Sequence, residues 1–188
     1  MHPRRARLRI HQQPVQRRRL TMTAFAEVTH REWIAAPVDT VRAQFADLDH
    51  HIRRNVHPRL RFEVLQRRSC GARFVQEVRL LGIRQRDVFE RSIEPDGNIE
   101  DRSVEGFNRG ASLNFRFAPK AVDRRQGTEV QISIRLPLPL VLGALVRPLL
   151  EAQVRREVRA AALEDKHDIE ARGYPGSGVA PAAAGTQG

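Results

Sequence analysis

His50, His51 and His57 are the one close grouping of histidines in the chain, and Asp47 and Asp49 stand beside them. Imidazoles and carboxylates together can ligate a divalent metal. The acids and the first two histidines, however, crowd into five consecutive positions, a spacing that fits no metal motif. The reading taken is therefore no metal and no cofactor, with the imidazoles exposed or at a helix end. A second constellation depends on strand alternation. If Ile83 and Phe89 face inward, Gln85, Asp87 and Arg91 face inward with them. A buried Asp87 near Arg91 could act as an acid/base or dipole-stabilising pair on an enolisable substrate. Otherwise Arg84, Arg86, Arg91 and Asp87 are cross-strand surface pairs worth tenths of a kcal/mol each. Ser69, Ser92, Ser103, Ser112, Ser133 and Cys70 are potential nucleophiles, but none lies in a GxSxG turn or beside a base, which argues against a hydrolase. The glycines are spaced as turn residues and form no phosphate-binding loop.

These side chains need elements to hold them. Phe25, Val28 and Trp33 mark a first strand ending at Ile34. Pro37 then presets a helical turn, and Val38, Val41, Phe45 and Leu48 recur at helical spacing. Residues 49–58 read as a second short helix or an irregular crossing. After Pro58 the period becomes two, giving strands at 60–64, 74–80, 83–93, 99–107, 111–117 and 128–136. Pro95, Asp96, Gly97 and Asn98 make a turn, and the short links imply antiparallel hairpins. Leu138–Arg172 is helical by a different logic. Pro148 either opens the main helix or kinks one begun near Pro139. Leu150, Val154, Val158 and Ala161 share one side beyond it, while Glu151 with Arg155 and Asp168 with Arg172 make i,i+4 pairs.

Composition limits the partners. The chain has 188 residues and a formal charge of +11, enough for one domain with a sizeable core. Residues 1–21 alone supply seven arginines and no acid, leaving 26 basic against 22 acidic residues in the rest. This segment reads as a disordered basic leader over 1–22, and Met22 is an alternative start. The folded domain is expected over 23–174, with a flexible Pro/Gly-rich tail over 175–188. The leader could touch nucleic acid or anionic lipid through charge. With Trp33 and Tyr174 the only residues of their types, a stacking platform is sparse and no specific nucleic-acid partner is expected. Cys70 stands alone, so an intrachain disulfide is excluded and a reducing, cytoplasmic setting fits. No run is long and apolar enough for a membrane span or a secretory signal.

Three segments carry a family resemblance: IAAPVDTVRAQFADLDHH at Ile34–His51, Gly127-Thr128-Glu129-Val130 opening the last strand, and ALEDKHDIEARGY at Ala162–Tyr174. Over residues 25–174 the chain resembles the START/Bet v 1-like (SRPBCC) superfamily, in particular its polyketide cyclase/dehydrase-like branch. The resemblance implies an α+β helix-grip fold: a curved antiparallel sheet of about seven strands around a long C-terminal helix, with two short helices after the first strand. It also implies an elongated apolar cavity. The expected lining is Phe74, Gln76, Val78, Gln85, Phe89, Phe115, Ile132, Ile134, Leu145 and Leu149, with the entrance near Pro148. The function expected is binding, transport or sequestration of a small hydrophobic molecule, including lipid, without a cofactor. A polyketide cyclase/aromatase-like enzyme using Asp87 and Arg91 is the alternative, followed by nucleic-acid or membrane-surface contact through the leader.

Overall fold

A computed structural model describes residues 24–138 and 143–175. The expected basic leader, Pro139 and all but the first residue of the expected tail lie outside the described residues. The order is β1 (Ala24–Ile34), α1 (Val38–Ala46), α2 (Leu48–Arg54), β2 (Arg61–Arg68), β3 (Gly71–Leu80), β4 (Ile83–Ile93), β5 (Ile99–Gly106), β6 (Ser112–Val122), β7 (Arg125–Leu138) and α3 (Gly143–Glu170). The strands form one antiparallel sheet in the order β1-β7-β6-β5-β4-β3-β2. Six of them follow one another as a meander, and β1 closes onto β7.

Two short helices follow β1: the first is the one the spacing from Pro37 predicts, and the second resolves the choice left open between a short helix and an irregular crossing. Pro37 caps α1 at φ −57°, and Val41 and Phe45 turn inward. Asp47 then caps α2, its carboxylate accepting from the His50 backbone N–H at 2.8 Å. Asn55 ends α2 in the left-handed region. These two short helices and α3 cover the sheet's inner face. Val41, Phe45, Val130, Ile132, Val154, Val158 and Ile169 join in the main core, while Leu48, Ala72, Phe74 and Phe89 form a smaller cluster.

Gly127 shows why the segment opening β7 is constrained. A Cβ there would lie 2.5 Å from the Ile34 carbonyl oxygen and 2.6 Å from the Trp33 ring. The bare backbone lets Trp33 lie across β7 and donate its indole N–H to the Lys120 carbonyl at 3.0 Å. Next in sequence, Thr128 Oγ1 donates to the Ala36 carbonyl at 2.8 Å. Together they fasten the strand-to-helix corner that launches α1.

In α3, Pro148 lies inside the helix rather than at its start. The helix is described from Gly143, so the break costs one backbone hydrogen bond without ending it. Val154, Val158, Ala162, Asp165 and Ile169 form its buried stripe, with Asp168 beside it. The stripe is apolar for two turns and then acidic.

Candidate functional site

A cavity of about 150 Å³ lies between the sheet, α3 and the two short helices. Phe45, Leu48, Phe62, Val78, Phe89, Leu113, Phe115, Ile132, Ile134, Leu136, Val154 and Val158 supply the apolar wall. Two clusters of buried polar groups interrupt it, one on β4 and β5 and one beneath α2 and α3.

On β4, Gln85, Asp87, Phe89 and Arg91 are buried, and Arg91 and Asp87 both reach the cavity wall. They do not pair with each other. Arg91 donates through Nε and Nη2 to the two carboxylate oxygens of Asp101, each at 2.7 Å. Its Nη1 donates to the Phe45 carbonyl at 2.9 Å, and its guanidinium lies 5.3 Å from the Phe74 ring centre. Arg91 thus ties the sheet to the end of α1. Asp87 accepts from the Asn108 backbone N–H at 2.6 Å and from its side-chain amide at 2.8 Å. Gly106 faces Asp87 across the ladder at a positive φ of 113°, where a Cβ would come within 2.7 Å of the carboxylate. Arg84 and Arg86, on the other face, make the surface pairs with Glu77 and Glu63.

The second group differs most from the sequence reading. His50, His51 and His57 are all buried, where the sequence expectation placed them in solvent or at a helix end. The reason is that α3 brings carboxylates to them. His50 Nε2 lies 2.6 Å from Asp168 Oδ2. His51 Nε2 and His57 Nε2 lie 3.1 and 3.3 Å from the same oxygen, Asp165 Oδ1. His57 Nδ1 meets Glu164 at 3.0 Å, and the Gln44 amide donates to Asp165 at 3.1 Å. The His51 and His57 rings stack, their centres 5.1 Å apart. His51, His57, Glu164 and Asp165 reach the cavity.

Burial opposes the charged form of His57, but the charges of Asp165 and Glu164 and their hydrogen bonds raise its pKa to about 10. Burial likewise opposes ionisation of Asp165, yet His57 and His51 hold it well below the usual carboxylate range. His51, His57 and Asp165 are also the residues whose donor atoms could hold a metal.

Of the residues expected to line the cavity, Gln76, Val78, Phe89, Phe115, Ile132 and Ile134 do so. Phe74 and Gln85 are buried outside the lining. Phe74 stacks on Phe89, and Gln85 accepts from Asn108. Leu145 and Leu149 are 80% and 61% exposed. The lining from α3 begins at Val154, beyond Pro148. Its solvent-exposed rim includes Arg59 opposite Glu157, 3.5 Å apart. Gln44, Glu164, Asp165 and Asp168 were missed by the sequence reading. Extending the stripe Val154, Val158, Ala162 by three and then three more positions reaches Asp165 and Asp168, which is the signal that could have found them.

No protein-family model matches the sequence, and no curated protein matches it. Solved structures do match in shape. A Thermus thermophilus protein, TTHA0849, superposes with a TM-score of 0.67 at 19% identity, over 76% of this chain and 96% of that one. The Zhui aromatase/cyclase from Streptomyces sp. R1128 gives 0.62 at 20%, over 81% and 100%. A START superfamily protein from Mycobacterium smegmatis gives 0.59 at 16%, over 73% and 94%. No helix among the described residues is long and apolar enough to cross a membrane. Seven antiparallel strands, two short helices after the first strand and a long C-terminal helix give this chain the helix-grip fold, the fold it shares with these solved structures.

Proposed function

We propose that this chain binds a compact, mainly apolar molecule inside the cavity, as a carrier or sequestering protein. The observation that carries this is an internal space of about 150 Å³ walled mainly by aromatic and aliphatic side chains, with two clusters of buried ionisable groups and the Arg59–Glu157 pair at its rim. A ligand site is mostly apolar with a few placed polar groups that set orientation. Free space of that size holds a molecule of about one aromatic ring.

A second reading, an aromatase/cyclase-like enzyme, is favoured by Asp87 and Arg91 at the cavity wall and by the likeness to the Zhui aromatase/cyclase. Against it, Arg91 is committed to Asp101 and the Phe45 carbonyl, and Asp87 to Asn108. Groups so engaged hold the wall more readily than they move protons. Binding is therefore the first reading.

Native mass spectrometry of protein purified from its own source should show a retained apolar compound. Toluene, as a minimal probe, should raise the melting temperature saturably. Val158→Phe, which fills the space from α3, should abolish that rise. Absence of both the retained compound and the toluene response would refute the binding reading.

A further inference from the structure

His51 on α2, His57 in the link to β2 and Asp165 on α3 come from separate places in the chain and converge on one point. One donor atom from each lies within 4.8 Å of the others, and all three residues are buried. The two contacts to Asp165 Oδ1, at 3.1 and 3.3 Å, have the right size for ligands of a common ion. Bonds of about 2.0 to 2.1 Å in a tetrahedron place neighbouring ligand atoms about 3.3 Å apart.

The outer atoms of both rings are also engaged. His51 Nδ1 lies 2.7 Å from the Asp47 carbonyl oxygen, and His57 Nδ1 lies 3.0 Å from the Glu164 carboxylate. A carbonyl can only accept, so His51 carries its proton on Nδ1 and, when neutral, presents the Nε2 lone pair to Asp165. The Glu164 carboxylate favours the same tautomer for His57. Metal-bound histidines are held in this way, by a carbonyl or carboxylate behind the ring. Gln44 orients the third donor by donating to Asp165 Oδ1. With both rings neutral, two imidazole nitrogens and a carboxylate oxygen converge with their lone pairs inward; in the metal-free chain a ring proton of His57 stands in that place, and a bound cation displaces it.

We propose that His51, His57 and Asp165 bind one divalent first-row transition-metal ion of the zinc or iron(II) class, a donor set suited to such ions. All three residues line the cavity, so a remaining coordination position opens onto it. That position would take water or an oxygen atom of a bound molecule. The site stands independently of which apolar compound fills the space.

The test uses the full chain, stripped with a chelator and re-equilibrated with Zn²⁺ or Co²⁺, followed by gel filtration and elemental analysis. One ion per chain is expected, and the Co²⁺ form should show the visible absorption of a low-symmetry site. His51→Gln, His57→Gln and Asp165→Asn, each checked for fold by circular dichroism, should lose the ion. Glu164→Gln should bind it about 10- to 100-fold more weakly. That side chain is 29% exposed, so this variant decides the matter if the buried ones unfold. No retained ion, or an ion held equally well by Glu164→Gln and every folded site variant, would overturn the proposal. Toluene binding by a metal-free chain would leave the cavity reading intact while the metal site failed.

Discussion

Raising the pH should weaken the metal-free protein through His57 in a measurable and signed way. The unfolded imidazole has a pKa near 6.5 and the folded one about 10. A group whose folded pKa is raised contributes stability that is complete below the unfolded value and is lost as pH climbs to the folded one. Between those limits the folded chain holds one proton more than the unfolded chain. Stability should therefore fall by about 1.4 kcal/mol per pH unit, for a total on the order of 5 kcal/mol. With a urea m-value of about 2 kcal/mol/M, the midpoint should drop by roughly 0.7 M per unit. The assay is urea unfolding followed by circular dichroism, at intervals from pH 6.5 to 9.5 with chelator present. His57→Gln should start lower and remain flatter across the range. A wild-type midpoint that holds steady or rises with pH, or a variant with the same slope, would refute the reasoning. Asp165 acts on the opposite side. Its depressed pKa gives stability that is present above the ordinary carboxylate value and lost as pH falls.

Three further outcomes can be checked by the same unfolding measurement. Asp101→Ala leaves the Arg91 guanidinium buried without its carboxylate partner and should cost about 3 to 5 kcal/mol, whereas the double change Arg91→Met with Asp101→Leu should cost much less. Gly127→Ala forces a methyl group against the Ile34 carbonyl and the Trp33 ring and should cost roughly 1 to 3 kcal/mol. Leu145→Ser and Leu149→Ser remove exposed side chains and should each stay within about 0.5 kcal/mol of wild type.

The sheet was legible because its signals are local. Leu113, Phe115 and Phe117 alternate, as do Val130, Ile132, Ile134 and Leu136, and the turn residues at 95–98 separate β4 from β5. The same alternation carried Gln85, Asp87 and Arg91 to one buried face. Their partners could not be read that way. Arg91 pairs with Asp101 on the next strand and with a carbonyl at the end of α1, which depends on how the sheet curves under the helix. The histidine group was opaque for a related reason. Its acids lie more than a hundred positions downstream, in a charged run where Asp168 and Arg172 look like a solvated helix pair. Only the depth at which α3 lies in the sheet makes Asp165 and Asp168 interior residues.

The placement of β1 beside β7 sets a schedule for folding. Every neighbouring strand pair from β2 to β7 joins segments adjacent in sequence, so those hairpins can zip locally. The partners of β1 are about a hundred residues away, with Ala24 opposite Leu138 and Ile34 opposite Thr128. Such distant pairing carries a large loop-closure cost and slows folding towards the millisecond-to-second range. On a ribosome, β1 leaves first and waits through the synthesis of the other six strands before its edge is covered. That leaves an unpaired strand exposed to wrong partners for longer than any other part of the sheet.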